Sequence, residues 1–307
     1  MFSSCSLCPR SCGANRVIGN TGRCGASVLL KAFRWGPHHG EEPPISGTRG
    51  SGAVFFSHCQ LGCVYCQNHP WSAGGAGRVI GVEGLARIFC ELRDAGCHNW
   101  NLVTPEPWLP HIATAAEIAA ARLATRGEKP LPFVYNTSGY CSVEVARKYR
   151  DLMDIVLTDL RYSRAESAYS GSGAADYPVR AREFAKWAAE NAGELVCDGD
   201  GIARRGLIIR ILVLPGKARE AVENLEWIAE NIGAETAIGV MSQYTPVHKA
   251  LESEEWNRFV SEDEYATVTD AVERLGFENG WVQDFGAANS PDDSLLGANM
   301  NEGEGSV

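Results

Sequence analysis

Ser57-His58-Cys59-Gln60-Leu61-Gly62-Cys63-Val64-Tyr65-Cys66-Gln67-Asn68 follows directly on an apolar run, Gly52-Ala53-Val54-Phe55-Phe56. The apolar run reads as a buried strand, and the stretch after it places three cysteines in a C-x3-C-x2-C spacing. Three thiolates so close can hold three corners of a cubane iron–sulfur cluster. Four-iron clusters normally take four cysteines. No fourth lies nearby, so one iron would stay open for another ligand. The competing reading is a structural zinc site or free cysteines at a strand end. Zinc wants four tetrahedral ligands, usually in C-x2-C pairs, and this spacing does not supply them.

Composition narrows the class. The chain has 307 residues, 45% hydrophobic, with a formal net charge of -10. Length and apolar content suit one large α/β domain. The acidic balance argues against non-specific nucleic-acid binding, which relies on basic patches. Of the 11 cysteines, seven fall within the first 66 residues and Cys90, Cys97, Cys141 and Cys197 are scattered singly. No signal peptide is legible at Met1-Phe2-Ser3-Ser4-Cys5, and no apolar run is long enough to span a membrane. The expected setting is a reducing cytoplasm, where thiolates are free for metals.

Upstream, Cys5-Ser6-Leu7-Cys8-Pro9-Arg10-Ser11-Cys12 and Gly19-Asn20-Thr21-Gly22-Arg23-Cys24-Gly25 give C-x2-C-x3-C-x11-C. The glycines suit knuckle turns whose backbone N–H groups point at sulfur. Cys5, Cys8, Cys12 and Cys24 can close a zinc site or carry a second four-iron cluster, and spacing does not separate the two. Residues 1–50 are expected to form this module and a linker. Within it, 27–50 is full of helix breakers, and His38 and His39 read as loop residues.

From 52 onward, strand-like and helix-like pieces alternate. Strands are expected at 52–58, 100–104, 133–136, 155–160, 207–213 and 237–241, with a further short one at Trp281-Val282-Gln283. Helices are expected near 83–95, 111–125, 143–150, 178–191, 217–231 and 262–275, and a Ser/Gly/Ala-rich loop at 163–175. This order predicts a parallel sheet with helices outside, curled by right-handed crossovers into a partial (β/α)6 TIM-like barrel over 51–285. The stretch 286–307, with four acidic and no basic residues, is expected to be poorly ordered.

In such barrels, sites form at the C-terminal ends of strands. Those ends carry the three-cysteine loop, then Thr104-Pro105-Glu106, Asn136-Thr137-Ser138, Asp159-Leu160-Arg161, Arg210 with Leu214-Pro215-Gly216, and Ser242 to His248. Six polar ends in order favour a ligand-lined mouth. Asp159 and Arg161 share a facing and can pair with each other. Arg210 in an apolar strand needs an acceptor if its head is buried.

The motif resembles that of the radical S-adenosylmethionine (SAM) enzymes, where the residue before the last cysteine is usually aromatic, as Tyr65 is here. The similarity extends over most of 5–285. It is strongest to the group related to pyruvate formate-lyase activating enzymes that carries an N-terminal cysteine module. It is carried by Cys5 to Arg10, Cys59 to Asn68, Asn101 to Pro105, Tyr135 to Tyr140, Gly206 to Arg210, Leu214-Pro215-Gly216 and Met241 to Tyr244. The resemblance implies a [4Fe-4S] cluster on Cys59, Cys63 and Cys66. It also implies one-electron cleavage of SAM to methionine and a 5′-deoxyadenosyl radical that takes hydrogen from a substrate. SAM contacts are then expected from Tyr65, Thr104, Glu106, Asn136, Ser138, Asp159, Arg161 and Arg210, with His248 and Arg161 as catalytic candidates. An electron donor such as flavodoxin or ferredoxin is implied, and a glycyl radical protein as the substrate of an activase.

Three departures weigh on that last point. Thr104-Pro105-Glu106 stands where activases show Gly-Gly-Glu. Asp159-Leu160-Arg161 stands for Asp-x-Lys. Asn136 replaces an Asp that helps hold a monovalent cation. The alternative is a radical SAM enzyme acting directly on a small molecule, peptide or RNA base. A non-enzymatic iron–sulfur or zinc protein is the third reading, but an electron carrier needs no polar-lined barrel mouth.

Overall fold

A computed structural model describes residues 1–286. Ten strands order the fold: β1 Lys31–His38, β2 Ser51–Phe56, β3 Arg78–Val79, β4 Trp100–Val103, β5 Phe133–Thr137, β6 Ile155–Asp159, β7 Val196–Cys197, β8 Ala203–Leu212, β9 Ala237–Met241 and β10 Gly280–Val282. The sheet runs β10-β9-β8-β6-β5-β4-β2-β1-β3, with β7 pairing β8 off this path. From β2 to β10 every neighbour is parallel. β1 lies antiparallel on β2, and β3 on β1. The protein is therefore α/β with a partial barrel and a cysteine-rich N-terminal segment, as the alternation predicts.

Period-two facing divides this sheet into two environments. Val54, Phe56, Leu102, Tyr135, Val156, Leu207, Ile209 and Val240 face the helices and share one core with Leu85, Phe89, Ile112, Leu123, Phe184 and Leu225. The strands read as near-continuous apolar runs because both faces are covered. On the other face, pairing aligns Ala53 with Asn101, Asn101 with Val134, Asn136 with Leu157, Asp159 with Arg210, and Arg210 with Gly239. Its lower layer is Val134, Ile155, Leu157, Ile208 and Ala237, closed by Ile45.

This face is concave. Glu41 accepts from Asn101 on β4, while the next residue, Glu42, lies so close to β9 that a Cβ on Gly239 would stand 3.0 Å from its Oε1. In a flat sheet β4 and β9 would be about 19 Å apart, four strand spacings. Consecutive residues reach both because the sheet curls around them.

The stretch 27–50, expected as a linker with short extended pieces, is more ordered than that. Lys31–His38 is an eight-residue strand, and 39–50 folds into the barrel as its floor. Pro37 is tolerated because only β2 pairs with that half of β1. The expected loop 163–175 contains a helix, Ala165–Ser172, closed by Gly173 at φ 59°. Its Ser/Gly/Ala composition carries no apolar stripe to announce it. No helix among the described residues is long and apolar enough to cross a membrane. Beyond Gly286 the expected acidic tail lies outside the described residues.

Candidate functional site at the strand ends

The three-cysteine loop leaves β2 at the barrel mouth, and each sulfur there meets donors. Cys63 Sγ receives Arg161 Nη1 and Ser172 Oγ, both at 3.1 Å. Cys66 Sγ lies 3.1 Å from Ser72 Oγ, and Cys59 Sγ accepts the Leu61 N–H at 3.4 Å. The backbone N–H groups two residues on, from Arg10, Ala26 and Asn68, lie near enough to Cys8, Cys24 and Cys66 to favour their thiolates, against the upward push of burial. Donors on sulfur stabilise thiolate and tune a cluster.

All 11 cysteines are free of disulfides. A Cβ on Gly22 would stand 2.3 Å from Cys12 Sγ, so glycine is needed for the chain to pass that sulfur. Among the described residues, no group of three or more His, Cys, Asp or Glu side chains is arranged to hold a single metal ion. A tetrahedral zinc site gathers its sulfurs about 2.3 Å from one point. A cubane spreads its thiolates over separate irons. The donor-decorated sulfurs of Cys59, Cys63 and Cys66, three rather than four, suit a cluster with one open corner, whereas the four thiols of Cys5, Cys8, Cys12 and Cys24 suit a zinc ion and a cluster alike.

The two cysteine groups are tied together. Arg10, between Cys8 and Cys12, donates to the carbonyls of Gln60 and Leu61 at 3.2 Å each, and to Ser172 and Gly173 at 3.2 and 2.6 Å. The His58 ring contacts the Cys24 carbonyl at 3.1 Å. Glu106 lies within electrostatic reach of both Cys8 and Cys59.

Below the loop sits a network built around one carboxylate. Asp159 Oδ2 accepts from Arg161 Nε at 3.0 Å and Nη2 at 2.6 Å, and Oδ1 from Arg210 Nε at 2.8 Å. Arg210 also donates to Asn136 at 2.7 Å and to Glu41 at 3.2 Å. Asn136 and Asn101 each donate to Glu41 at 2.9 Å. Burial pushes Asp159 up, but Arg210 and Arg161 outweigh it and hold the carboxyl below its usual range.

The predicted residues thus divide. Asn136, Asp159, Arg161 and Arg210 meet in one network beside Cys63. Ser138 is buried next to them with its Oγ unpartnered. Thr104, at the end of β4, has φ 58°, an outlier for a β-branched residue. The other non-glycine residues at positive φ are Ser11, His58 and His248, all at the cysteine motifs or the rim. Strain of this kind clusters at functional sites. Glu106 is fully buried, bonded by Thr137 and Cys141, with Oε2 unpartnered and its carboxyl raised by burial.

Tyr65 is buried against Tyr244 and Trp256, ring centroids 5.3 Å away, and bonds Tyr162. Tyr162 in turn meets Ser172 at 2.7 Å, so the aromatic residue braces the loop through Ser172 to Cys63. His248 is not in the lumen. It stacks on His69, which contacts the Cys66 carbonyl, at the outer edge of the loop. A cavity of about 250 Å³ between Ala189, Leu207, Ile232 and Thr236 lies at the opposite end of β8 and β9, away from the cysteines.

Sequence reasoning missed Glu41 and Glu42, the floor acids. Burial pushes Glu42 up to about 7, more than Arg210 lowers it, and its Oε2 has no partner. From about pH 4.5 to 7 the folded chain holds a proton that the unfolded chain has released. Stability therefore falls as pH rises through that window and stays low above it. Glu42→Gln is expected to be more stable than wild type at pH 8 by about 1–3 kcal/mol, and equal near pH 4.5. Denaturant melts at both pH values check this; an equal gap at both would sink it.

No protein-family model matches the chain. An uncharacterized protein of Methanocaldococcus jannaschii is 24% identical over 287 residues, covering 91% of this chain and 77% of that protein. Among solved structures, Streptococcus suis SuiB bound to S-adenosylmethionine is similar at TM-score 0.47 and 12% identity, over 73% of this chain and 48% of that one. Native anSMEcpe with bound AdoMet gives 0.46 and 12%, over 72% and 58%. The chain spans about half the length of these solved structures.

Proposed function

We propose that the protein is a radical SAM enzyme. One observation carries the reading: three thiols with no fourth beside them, each given a hydrogen-bond donor, stand over a lumen whose nearest ion pair is Asp159–Arg161. Cys59, Cys63 and Cys66 would hold a [4Fe-4S] cluster, which would supply one-electron chemistry for the reductive cleavage of SAM to methionine and a 5′-deoxyadenosyl radical.

The chain's own residues do the rest. Arg161 reaches Cys63 with Nη1 while Asp159 grips its Nε and Nη2, so one guanidinium is held beside the cysteine loop, where it would meet a methionine carboxylate. The unpartnered Ser138 Oγ and Glu106 Oε2 are acceptors for the ribose hydroxyls and ammonium. Ile45 packs with Val134, Ile155, Leu157, Ile208 and Ala237 as an apolar floor, which would leave the strand-end mouth as the way in.

Cys5, Cys8, Cys12 and Cys24 carry a second four-iron cluster or a zinc ion, with Arg10 as the bridge between the two cysteine groups. A flavodoxin- or ferredoxin-type protein of the cytoplasm supplies electrons. The substrate that loses hydrogen is a glycyl radical protein, or a small molecule, peptide or RNA base modified directly.

Anaerobically reconstituted protein should hold about seven or eight irons per chain with both clusters. Reduced in the presence of SAM, it should release 5′-deoxyadenosine. No such product at full iron loading would overturn the reading. A glycyl radical signal in an added partner protein separates the activase from direct modification.

A further inference from the structure

The arginines of the site are satisfied. Arg210 has Asp159, Asn136 and Glu41; Arg161 has Asp159 and Cys63; Arg10 has four carbonyls. Arg34 differs. It pairs in register with Phe55 across β1 and β2, which puts it on the lumen face of the sheet. Its guanidinium lies 4.7 Å from the Phe55 ring centroid and 5.8 Å from that of Trp71. Trp71 is itself fixed by Phe33, stacked at 4.3 Å.

Arg34 Nε and Nη2 are buried and have no acceptor. No ion pair with it occurs among the described residues, and the acids of the floor do not act on it. A planar fork is held on an aromatic bed with the donors of Nε and Nη2 unused. Burying such donors without acceptors costs free energy. The rings compensate only through one face of the cation. Arg161, four strands along the sheet, already stands at the cysteine loop for a methionine carboxylate, so Arg34 is left over.

We infer that Arg34 is the anchor for an oxyanion on the substrate, a carboxylate or a phosphate group that enters the lumen and takes the unused edge of the guanidinium. The inference deepens the reading of the lumen as a substrate site and rests on it for the word substrate. Its test does not depend on SAM or on iron.

Thermal melts of the full chain are run at matched ionic strength in chloride, acetate and inorganic phosphate. Wild type is expected to gain roughly 2–4 °C at saturation in phosphate or acetate over chloride. The larger of the two shifts names the group. Arg34→Met keeps the apolar stem on the rings. It should lose the anion-dependent gain without lowering the midpoint in chloride, since it removes a buried, unpaired charge. Arg34→Lys keeps the charge but not the fork, and should retain less than half the gain. The inference is overturned if Arg34→Met keeps the gain, if neither anion stabilises wild type, or if Arg34→Met fails to fold or melts several degrees lower in chloride while Arg34→Lys keeps the full gain. Loss of 5′-deoxyadenosine formation would sink the radical reading and leave these melts unchanged.

Discussion

Cys63→Ala is expected to abolish 5′-deoxyadenosine formation and to remove about four irons per chain, leaving about four at the N-terminal cysteines. Cys63 is the choice among the three because two side chains converge on its sulfur, Arg161 and Ser172. Alanine leaves both donors aimed at nothing and leaves only two thiols in the loop. A cluster on two cysteines has no precedent in the ligand counts that hold four irons. Cys197→Ala is the control, because Cys197 is exposed on the short strand β7, far along the chain from either group. Iron assay and product chromatography on the two variants decide the matter. Full activity in Cys63→Ala would remove the cluster from the loop. Loss of all iron would show instead that the two cysteine groups fill as one unit, through the contacts of Arg10 with the carbonyls of Gln60 and Leu61.

The barrel was readable because its strands carry their own punctuation. Each apolar run of 133–137 or 155–159 type ends in a polar turn, and burial on both faces makes such runs continuous. The three sulfurs fall together because a C-x3-C-x2-C spacing is local. What the sequence hid is what depends on distant pairing. Trp35-Gly36-Pro37-His38-His39-Gly40 reads as breakers, yet Arg34 to His38 pair with β2 along the whole edge. That pairing sets the side on which Arg34 emerges, and no local pattern encodes it.

Glu41 and Glu42 look like a solvated acidic pair before two prolines. Pro43 and Pro44 start the turn that turns them inward, where Asn101, Asn136 and Arg210 meet Glu41 from three strands. Tyr65 carries the opposite lesson. Its place beside Cys66 suggests cofactor contact, while its burial against Tyr244 and Trp256 and its bond to Tyr162 make it a brace for the loop. A motif gives the spacing of ligands, and only packing gives the direction of the residue between them.

Asp159→Ala is expected to destabilise the chain by about 3–5 kcal/mol, because it removes the carboxylate that two guanidiniums share, leaving, among the described residues, Arg161 with no acidic partner and Arg210 with Glu41 only. The side chain of Asp159 is 4% exposed, and those of Arg210 and Arg161 are 15% and 21% exposed. The loss is far above the 0–1 kcal/mol of an exposed pair. The sign with pH follows from the carboxyl being held below its usual value. Its contribution is complete above the unfolded value near 3.8 and fades only as pH falls below that, so the gap between variant and wild type should be flat from pH 5 to 8. Asp159→Asn keeps the shape and one acceptor but no charge, and should fall between the two. Denaturant melts at pH 5 and 8 measure all three. A loss under about 1 kcal/mol would mean that Glu41 and Asn136 suffice for Arg210 and that Cys63 suffices for Arg161. That outcome would also detach the network from the cysteine loop. The expected one ties them, since the carboxylate that holds the barrel's charges together is the one that aims Arg161 at Cys63.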